Sequence, residues 1–343
     1  MTLRLIADDM TGALDAAAPF ASTQTPVRVL LSLKQPGNYP AAFSTESRDL
    51  PEEEARKRVA AAFQELQAGS DENTLWFKKV DSVLRGNSLV ETLEMAQAGQ
   101  FSHCLFAPAF PEMGRITRAG QQFIRSASGE WVVAPAGNLH KAFAALIPAI
   151  APGLDITIPD SETPEQLQAA ALGQRGQPHM LWAGSRGLAQ ALCPATPFLK
   201  VPRIGLFILG TSHPATRAQV QALAGLTMPA PKEGAFTPDG QAPLLLDPVP
   251  YSRDGKETRS YIERALERLS PPRDDSAIFI TGGDSLTTVL AALHAEALDC
   301  LGEIGPGLPL SRLVGGRLSG TVIVTKSGGF GAPDLLRTFC SGA

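Results

Sequence analysis

The strongest constraint in this sequence is a pattern that recurs six times: a short apolar run, a polar or glycine-rich turn, then an amphipathic helical stretch. Leu3–Ala7 leads through Asp8-Asp9-Met10-Thr11-Gly12 into residues 13–22. Residues 74–77 lead through 78–87 into 88–98, and residues 104–107 run into Pro108–Arg115. Residues 205–209 precede Gly210-Thr-Ser-His-Pro214 and a helix to about 223. Residues 276–280 precede Thr281-Gly-Gly-Asp284 and a helix to about 295, and residues 321–324 precede Lys326–Gly331 and a helix to about 339. Strands that alternate with helices predict an α/β fold with mostly parallel sheets covered by helices. In such sheets ligands bind beyond the carboxyl ends of the strands, where all six turns fall.

Length divides this pattern. A chain of 343 residues suggests two domains. Five prolines and an acidic stretch in residues 145–180, then a Pro-containing piece at 194–202, put the break between 150 and 200. The expected organisation is two lobes, 1–195 and 196–343, each a mostly parallel sheet flanked by helices. Residues 228–256 read as loop, with a strand at Leu244-Leu-Leu246.

Charge and cysteines remove several function classes. The net charge of -4 argues against a nucleic-acid binder, so any anion must be met by a local cluster of cations. The four cysteines are far apart and form no C-x-x-C pair, which disfavours zinc ribbons and redox motifs. The five histidines lack metal-ligand spacing, so no residue is assigned as a metal ligand. Asp8 and Asp9 interrupt the N-terminal apolar run too early for a signal peptide, and no run of 18 apolar residues exists. A cytoplasmic protein without membrane or nucleic-acid partners is expected. A homodimer is compatible with the sequence.

The turns of the first lobe carry charge. Asp8 and Asp9 repel one another unless they orient hydroxyls, accept a proton or hold Mg²⁺ through water. Thr11 suits a helix N-cap; equally, Asp9 could cap the helix while Asp8 is solvated. Lys79, Asp81, Ser82, Arg85, Gly86 and Asn87 crowd one turn. Lys79 and Arg85 can neutralise a carboxylate or phosphate, while Asp81 and Asn87 can bond sugar hydroxyls. The alternative is a self-paired loop with Asp81 bridging Arg85. Glu112 and Arg115 flank a proline-stiffened turn, as a site or as an internal ion pair. Arg48 could bind a carboxylate or stand alone at the surface.

The second lobe's turns are small instead. Gly210, Ser212 and His213, then Gly282, Gly283, Asp284 and Ser285, then Lys326, Gly328 and Gly329, all precede predicted helices. Backbone N–H groups there attract phosphate, and Lys326 could add a point charge. Glycine turns also serve packing alone. The Walker pattern, a full G-x-G-x-x-G after a strand and a G-x-S-x-G elbow are absent.

Taken in order, these turns resemble the motifs of the four-carbon acid sugar kinase family. Asp8-Asp9-Met10-Thr11-Gly12-Ala13, Thr45-Glu-Ser-Arg48, Lys79–Asn87, Pro108–Arg115 and Val324–Gly331 carry the likeness. Thr281-Gly-Gly-Asp284 resembles the family's Gly-Gly-Glu-Thr turn with Asp for Glu. The resemblance implies an ATP-dependent kinase for small sugar acids such as threonate, erythronate or 3-oxo-tetronate. The N-terminal domain would bind the acid and the C-terminal domain ATP with Mg²⁺. On that basis Lys79, Arg85 and Arg48 would hold the carboxylate, with Glu112 and Arg115 beside it. Asp8, Asp9, Ser82 and Asn87 would place hydroxyls, and Asp81 or Asp9 would take the proton. Two departures stand out. The family's Gly-Ser-Cys-Ser turn is Gly210-Thr-Ser-His213 here, and its Asp-Pro-x-Asn-Pro stretch is missing. A kinase for another hydroxy acid and a non-catalytic nucleotide- or sugar-acid-binding protein are the competing readings.

Overall fold

The computed structural model describes residues 2–33, 36–126, 128–193 and 197–340. Contacts divide the chain into two units: Met1–Ala21 with Val27–Pro197, and Ser22–Pro26 with Phe198–Ala343. The expected boundary at 195/196 falls outside the described residues.

In chain order the first unit comprises β1 (Leu3–Ala7), α1 (Met10–Ala17), β2 (Val27–Leu30), β3 (Ala41–Ser44), α2 (Glu52–Leu66), β4 (Leu75–Lys79), α3 (Ser88–Ala98) and β5 (His103–Ala107). Then come β6 (Arg115–Arg118), β7 (Gln121–Arg125), β8 (Trp131–Asn138), α4 (Leu139–Ile150), β9 (Asp155–Thr157), α5 (Pro164–Gly173), β10 (Met180–Gly184) and α6 (Arg186–Leu192). Its main sheet runs β2-β3-β1-β4-β10-β5-β9, and every pairing is parallel. All five residues of β1 and of β4 are buried, as expected for strands covered on both faces. Ile6, Phe63, Trp76, Phe106, Phe143 and Leu181 anchor the core. Arg4 is buried in β1 and donates to the carbonyls of Leu66, Tyr39, Gly37 and Ala68.

The chain order places the site. From β1 it passes to one side through β2 and β3, then crosses to β4 on the other side. The crevice at such a switch point is where ligands of open α/β sheets bind. The turns after β3, β1 and β4 therefore meet there, and they hold Arg48, Asp8 with Asp9, and Asp81 with Arg85.

The second unit comprises β11 (Arg203–Leu209), α7 (Pro214–Ala222), β12 (Met228–Pro229), β13 (Leu244–Leu246), α8 (Gly255–Glu267), β14 (Ser276–Thr281), α9 (Gly283–Ala292), β15 (Ala297–Glu303), β16 (Pro309–Val314) and β17 (Val322–Lys326). Its order is β12-β13-β11-β14-β17-β16-β15, with β16 antiparallel to both neighbours and the remaining pairings parallel. Phe207, Phe279, Val324 and Leu336 centre its core. The turns after β11, β14 and β17 lie on three adjacent strands.

Residues 145–180 are folded: α4, β9, α5 and the start of β10 lie there, with Pro164 at the first turn of α5. Three expectations need correction. Asp9, not Thr11, caps α1 by accepting from Gly12 N. No α-helix follows Lys326–Gly331; glycines and Pro333 leave only a 3₁₀ turn at Leu335–Phe339. Finally, β6–β8 form a separate antiparallel sheet that the alternation did not foresee. Its β6–β7 hairpin turns on Ala119 and Gly120, both at positive φ, as a tight two-residue turn demands.

Candidate functional site

Arg48 organises the first unit's site. Its guanidinium grips Asp8 with two hydrogen bonds, Nε to Oδ2 at 2.8 Å and Nη2 to Oδ1 at 2.9 Å. Nη2 also donates to Asp9 Oδ1 at 2.7 Å. The turn is fixed from behind, because the backbone N–H groups of Ser47 and Arg48 donate to Asp8 O. Thr11 Oγ1 donates to Asp9 Oδ2 at 2.7 Å, so both Asp9 oxygens are engaged. Burial alone would push the Asp8 carboxyl up. Arg48, with Lys78 and Lys79 behind it, outweighs burial and holds it below the usual carboxylate range. Burial opposes the Arg48 charge in the same way, and Asp9 and Asp8 more than offset it.

The turn after β4 repeats the arrangement. Arg85 Nε and Nη2 reach Asp81 at 2.8 and 2.9 Å, and Arg85 N donates to Asp81 Oδ2. Burial raises the Asp81 carboxyl, but the Arg85 bonds, with Arg48 and Lys79 nearby, hold it down at about 2. Asp81 is buried while the Arg85 side chain is 62% exposed. The guanidinium can therefore meet a ligand from the solvent side. Lys79 Nζ donates to Val80 O at 2.8 Å, and a Cβ on Gly12 would lie 3.3 Å from it. Asn87 spends its amide N–H groups on Ser47 O and Leu50 O. Ser82 is held by its carbonyl, which accepts from Gln122 Nε2 at 2.7 Å. Gly86, at φ +70°, packs on the Arg48 backbone.

Arg115 belongs to this cluster. Burial lowers its pKa, and Asp81 and Arg85 both act on its charge. One Nη donates to Met113 O, while the buried Nε has no partner. Glu112 lies in the 3₁₀ turn that precedes β6. It is exposed and lines a cleft of about 450 Å³ with Arg118, Arg125, Trp131 and Glu162. Three carboxylates, Asp8, Asp9 and Asp81, thus face the cations Arg48, Lys79, Arg85 and Arg115. Glu46 stands at the margin, with its pKa raised chiefly by burial.

Several supporting residues escaped sequence reasoning: Ser47, Lys78, Glu91 and Gln122. Lys78 and Glu91 are wholly buried and pair at 2.8 Å. Their signal was a lysine inside the strand ahead of the site residue Lys79, and a glutamate on the buried face of α3.

The second unit's turns meet around Thr211. A Cβ on Gly282 would lie 3.2 Å from Thr211 Cβ, and one on Gly328 3.1 Å from Thr211 Oγ1. A Cβ on Gly210 would run into Ser285 Oγ, and one on Gly329 would lie 3.1 Å from His213 Nε2. Gly282 N donates to Lys326 O, joining the turns after β14 and β17. His213 caps α7: its Nδ1 accepts from Ala215 N at 3.2 Å, so the ring proton sits on Nε2. Ser212, His213 and Asp284 are exposed; Gly283 is half-buried at the start of α9.

Lys326 points inward. Its Nζ donates to Ser327 O and Phe330 O, both at 2.9 Å, and burial pushes it down to about 8. Thr216 Oγ1 donates to Gly328 O, and Gln219 Nε2 reaches the carbonyls of Phe330, Gly331 and Ala332. Together they hold the glycine turn open. The neighbouring turns at 210–213 and 282–283 lie at the N-termini of α7 and α9, where backbone N–H groups suit an anion. Among the described residues no group of three or more His, Cys, Asp or Glu is placed to hold a metal ion. No helix there is long and apolar enough to cross a membrane.

The fold and these two strand-end sites define a two-unit α/β protein with a charged site in one unit and a glycine-turn site in the other. Residues 3–136 match the model of a sugar-binding N-terminal domain, and residues 238–336 that of a nucleotide-binding C-terminal domain. The chain belongs to the four-carbon acid sugar kinase family. It is 29% identical to a D-threonate kinase of Bordetella bronchiseptica, over 97% of this chain and 95% of that protein. It is 26% identical to a D-threonate kinase of Salmonella typhimurium, over 98% and 97%. A D-erythronate kinase of Heliobacterium modesticaldum is 34% identical over 36% of this chain and 29% of its own length. Among solved structures, a Haemophilus influenzae protein superposes with a TM-score of 0.67 at 17% identity, covering 99% of each chain, which speaks to the fold alone.

Proposed function

We propose that this chain is a kinase that transfers a phosphoryl group from ATP to the terminal hydroxyl of a four-carbon sugar acid such as threonate, erythronate or 3-oxo-tetronate. The observation that carries this reading is the pair of carboxylate–guanidinium clasps, Asp8–Arg48 and Asp81–Arg85, set beside Lys79 at the switch point. Relatives named D-threonate kinase align over nearly the whole chain.

The residues divide the work. Lys79, Arg85 and Arg115 offer donors to the substrate carboxylate, since Arg48 is already shared by Asp8 and Asp9. Asp8 and Asp81 are held ionised by their cationic neighbours, and with Asp9 they accept from substrate hydroxyls. Asp9 and Asp81 remain the two candidates to take the proton of the reacting hydroxyl. The lowered pKa makes Asp81 a weak base, so positioning and charge carry most of the rate, as in phosphoryl transfer generally.

In the second unit, the turns at 210–213, 282–285 and 326–329 offer backbone N–H groups to the nucleotide phosphates, with His213 Nε2–H beside Gly329. Lys326 acts behind them by shaping the turn. Mg²⁺ binds phosphate oxygens and water and needs few protein carboxylates; Asp284, exposed at the start of α9, would hold its water shell. When bound, the ion offsets charge on the β- and γ-phosphates.

A coupled ADP-release screen over tetronates, pentonates and other hydroxy acids tests the reading. Turnover with four-carbon acids is expected. A rise in melting temperature with ATP but no ADP release from any acid would instead identify a binding protein.

A further inference from the structure

Beneath the charged site, one buried polar chain joins elements far apart in sequence. Lys78 in β4 and Glu91 in α3 pair at 2.8 Å, and both are completely buried. Lys78 Nζ also donates to Lys79 O at 2.9 Å. The other Glu91 oxygen accepts from Ser47 Oγ at 2.7 Å. Ser47 Oγ lies 2.6 Å from Thr45 Oγ1, which lies 2.9 Å from Ala7 O. Two hydroxyl protons serve these three contacts. The carboxylate is the strongest acceptor, so the Ser47 proton belongs to Glu91, and the Thr45 proton is shared between Ser47 Oγ and Ala7 O.

This chain ends at Arg48. Its backbone neighbour Ser47 is fixed by Glu91 through Oγ, by Asp8 O through N–H, and by Asn87 Nδ2 through its carbonyl. The Arg48 backbone is thus tied to the core through Ser47, through its own N–H on Asp8 O and through its contact with Gly86. A buried ion pair is a poor source of stability compared with apolar side chains of the same volume, and its best-attested use is to specify one arrangement.

We propose that the Lys78–Glu91 pair, acting through Ser47, is a positioning device that sets the Arg48 guanidinium across Asp8 and Asp9 and so fixes the geometry of the acid site. The kinetic part rests on the kinase reading above; the placement of Arg48 does not.

Glu91→Gln tests it in the full chain. A glutamine amide nitrogen cannot face the Lys78 ammonium, so the amide turns its oxygen to Lys78 and its N–H to Ser47 Oγ, which reverses the Ser47 contact and replaces a carboxylate acceptor by a neutral donor. In Lys78→Met/Glu91→Gln that conflict is gone, and the glutamine oxygen can again accept from Ser47. The readouts are the Arg48 Nε–H resonance by ¹⁵N NMR, assigned by its loss in Arg48→Lys, and the separate KM values for acid and ATP. Glu91→Gln is expected to shift that resonance and speed its hydrogen exchange about tenfold. KM for the acid should rise about tenfold with KM for ATP unchanged, and the double variant should return both towards wild type. Should Glu91→Gln fail to fold, Ser47→Ala removes the same link and carries the same expectation. An unmoved Arg48 resonance overturns the proposal. So does a shift that the double variant leaves uncorrected. A wild-type chain inactive on every hydroxy acid defeats the kinase reading, and the NMR comparison alone then decides the positioning role.

Discussion

Gly86 lies so close to the Arg48 backbone that a side-chain carbon at position 86 would overlap the Arg48 carbonyl oxygen. Its φ of +70° is also one that residues other than glycine adopt at a cost. Two site turns, after β3 and after β4, are therefore packed backbone to backbone at this point. Gly86→Ala should destabilise the chain by about 1–3 kcal/mol and spread the turns. Urea unfolding measures the first effect, and a rise in acid KM the second.

Arg85 is the partner that lets Asp81 stay ionised while buried. Arg85→Ala should raise KM for the acid and lower kcat by orders of magnitude, because it removes a carboxylate donor and frees Asp81 to protonate. Steady-state kinetics check this, and near-wild-type values would remove Arg85 from the site.

The same pair makes stability depend on acid. The folded Asp81 carboxyl titrates at about 2, below its unfolded value of about 3.9. A lowered carboxylate pKa contributes stability that is fully present above pH ~4 and is lost as pH falls towards ~2. The contribution is on the order of 2 kcal/mol. Unfolding free energies of wild type and Asp81→Asn between pH 2 and 5 should converge as pH falls; a constant gap would contradict this origin.

Substitution of Gly282 should distinguish the proposed nucleotide site from the proposed acid site. It has φ +96° and faces Thr211, so Gly282→Ala strains the turn after β14 and narrows the space beside Thr211. KM for ATP should rise tenfold or more while KM for the acid stays within about twofold.

The local pattern made the strand-end turns legible. Asp8, Arg48, Lys79, Asp81 and Arg85 all end apolar runs, and parallel strands deliver such ends to one edge. Ser88–Ala98 was readable to the residue because its flanks are polar and its period helical. What stayed hidden depends on partners distant in sequence. The Arg48 clasp on Asp8 spans 40 residues, and the Glu91 contact with Ser47 spans 44. The inward turn of Lys326 comes from the carbonyls of its own turn, which composition does not reveal. The β6–β8 sheet was missed because its hairpin turn is Ala-Gly, a weaker signal than Asn-Gly.

The kinase reading predicts one product directly. Purified chain, ATP, Mg²⁺ and D-threonate or D-erythronate, followed by ³¹P NMR, should give a new phosphomonoester signal split into a triplet by the terminal CH₂, with ADP formed in equal amount. ATP left intact, or converted only to ADP and inorganic phosphate with both acids and with 3-oxo-tetronate, would contradict the account.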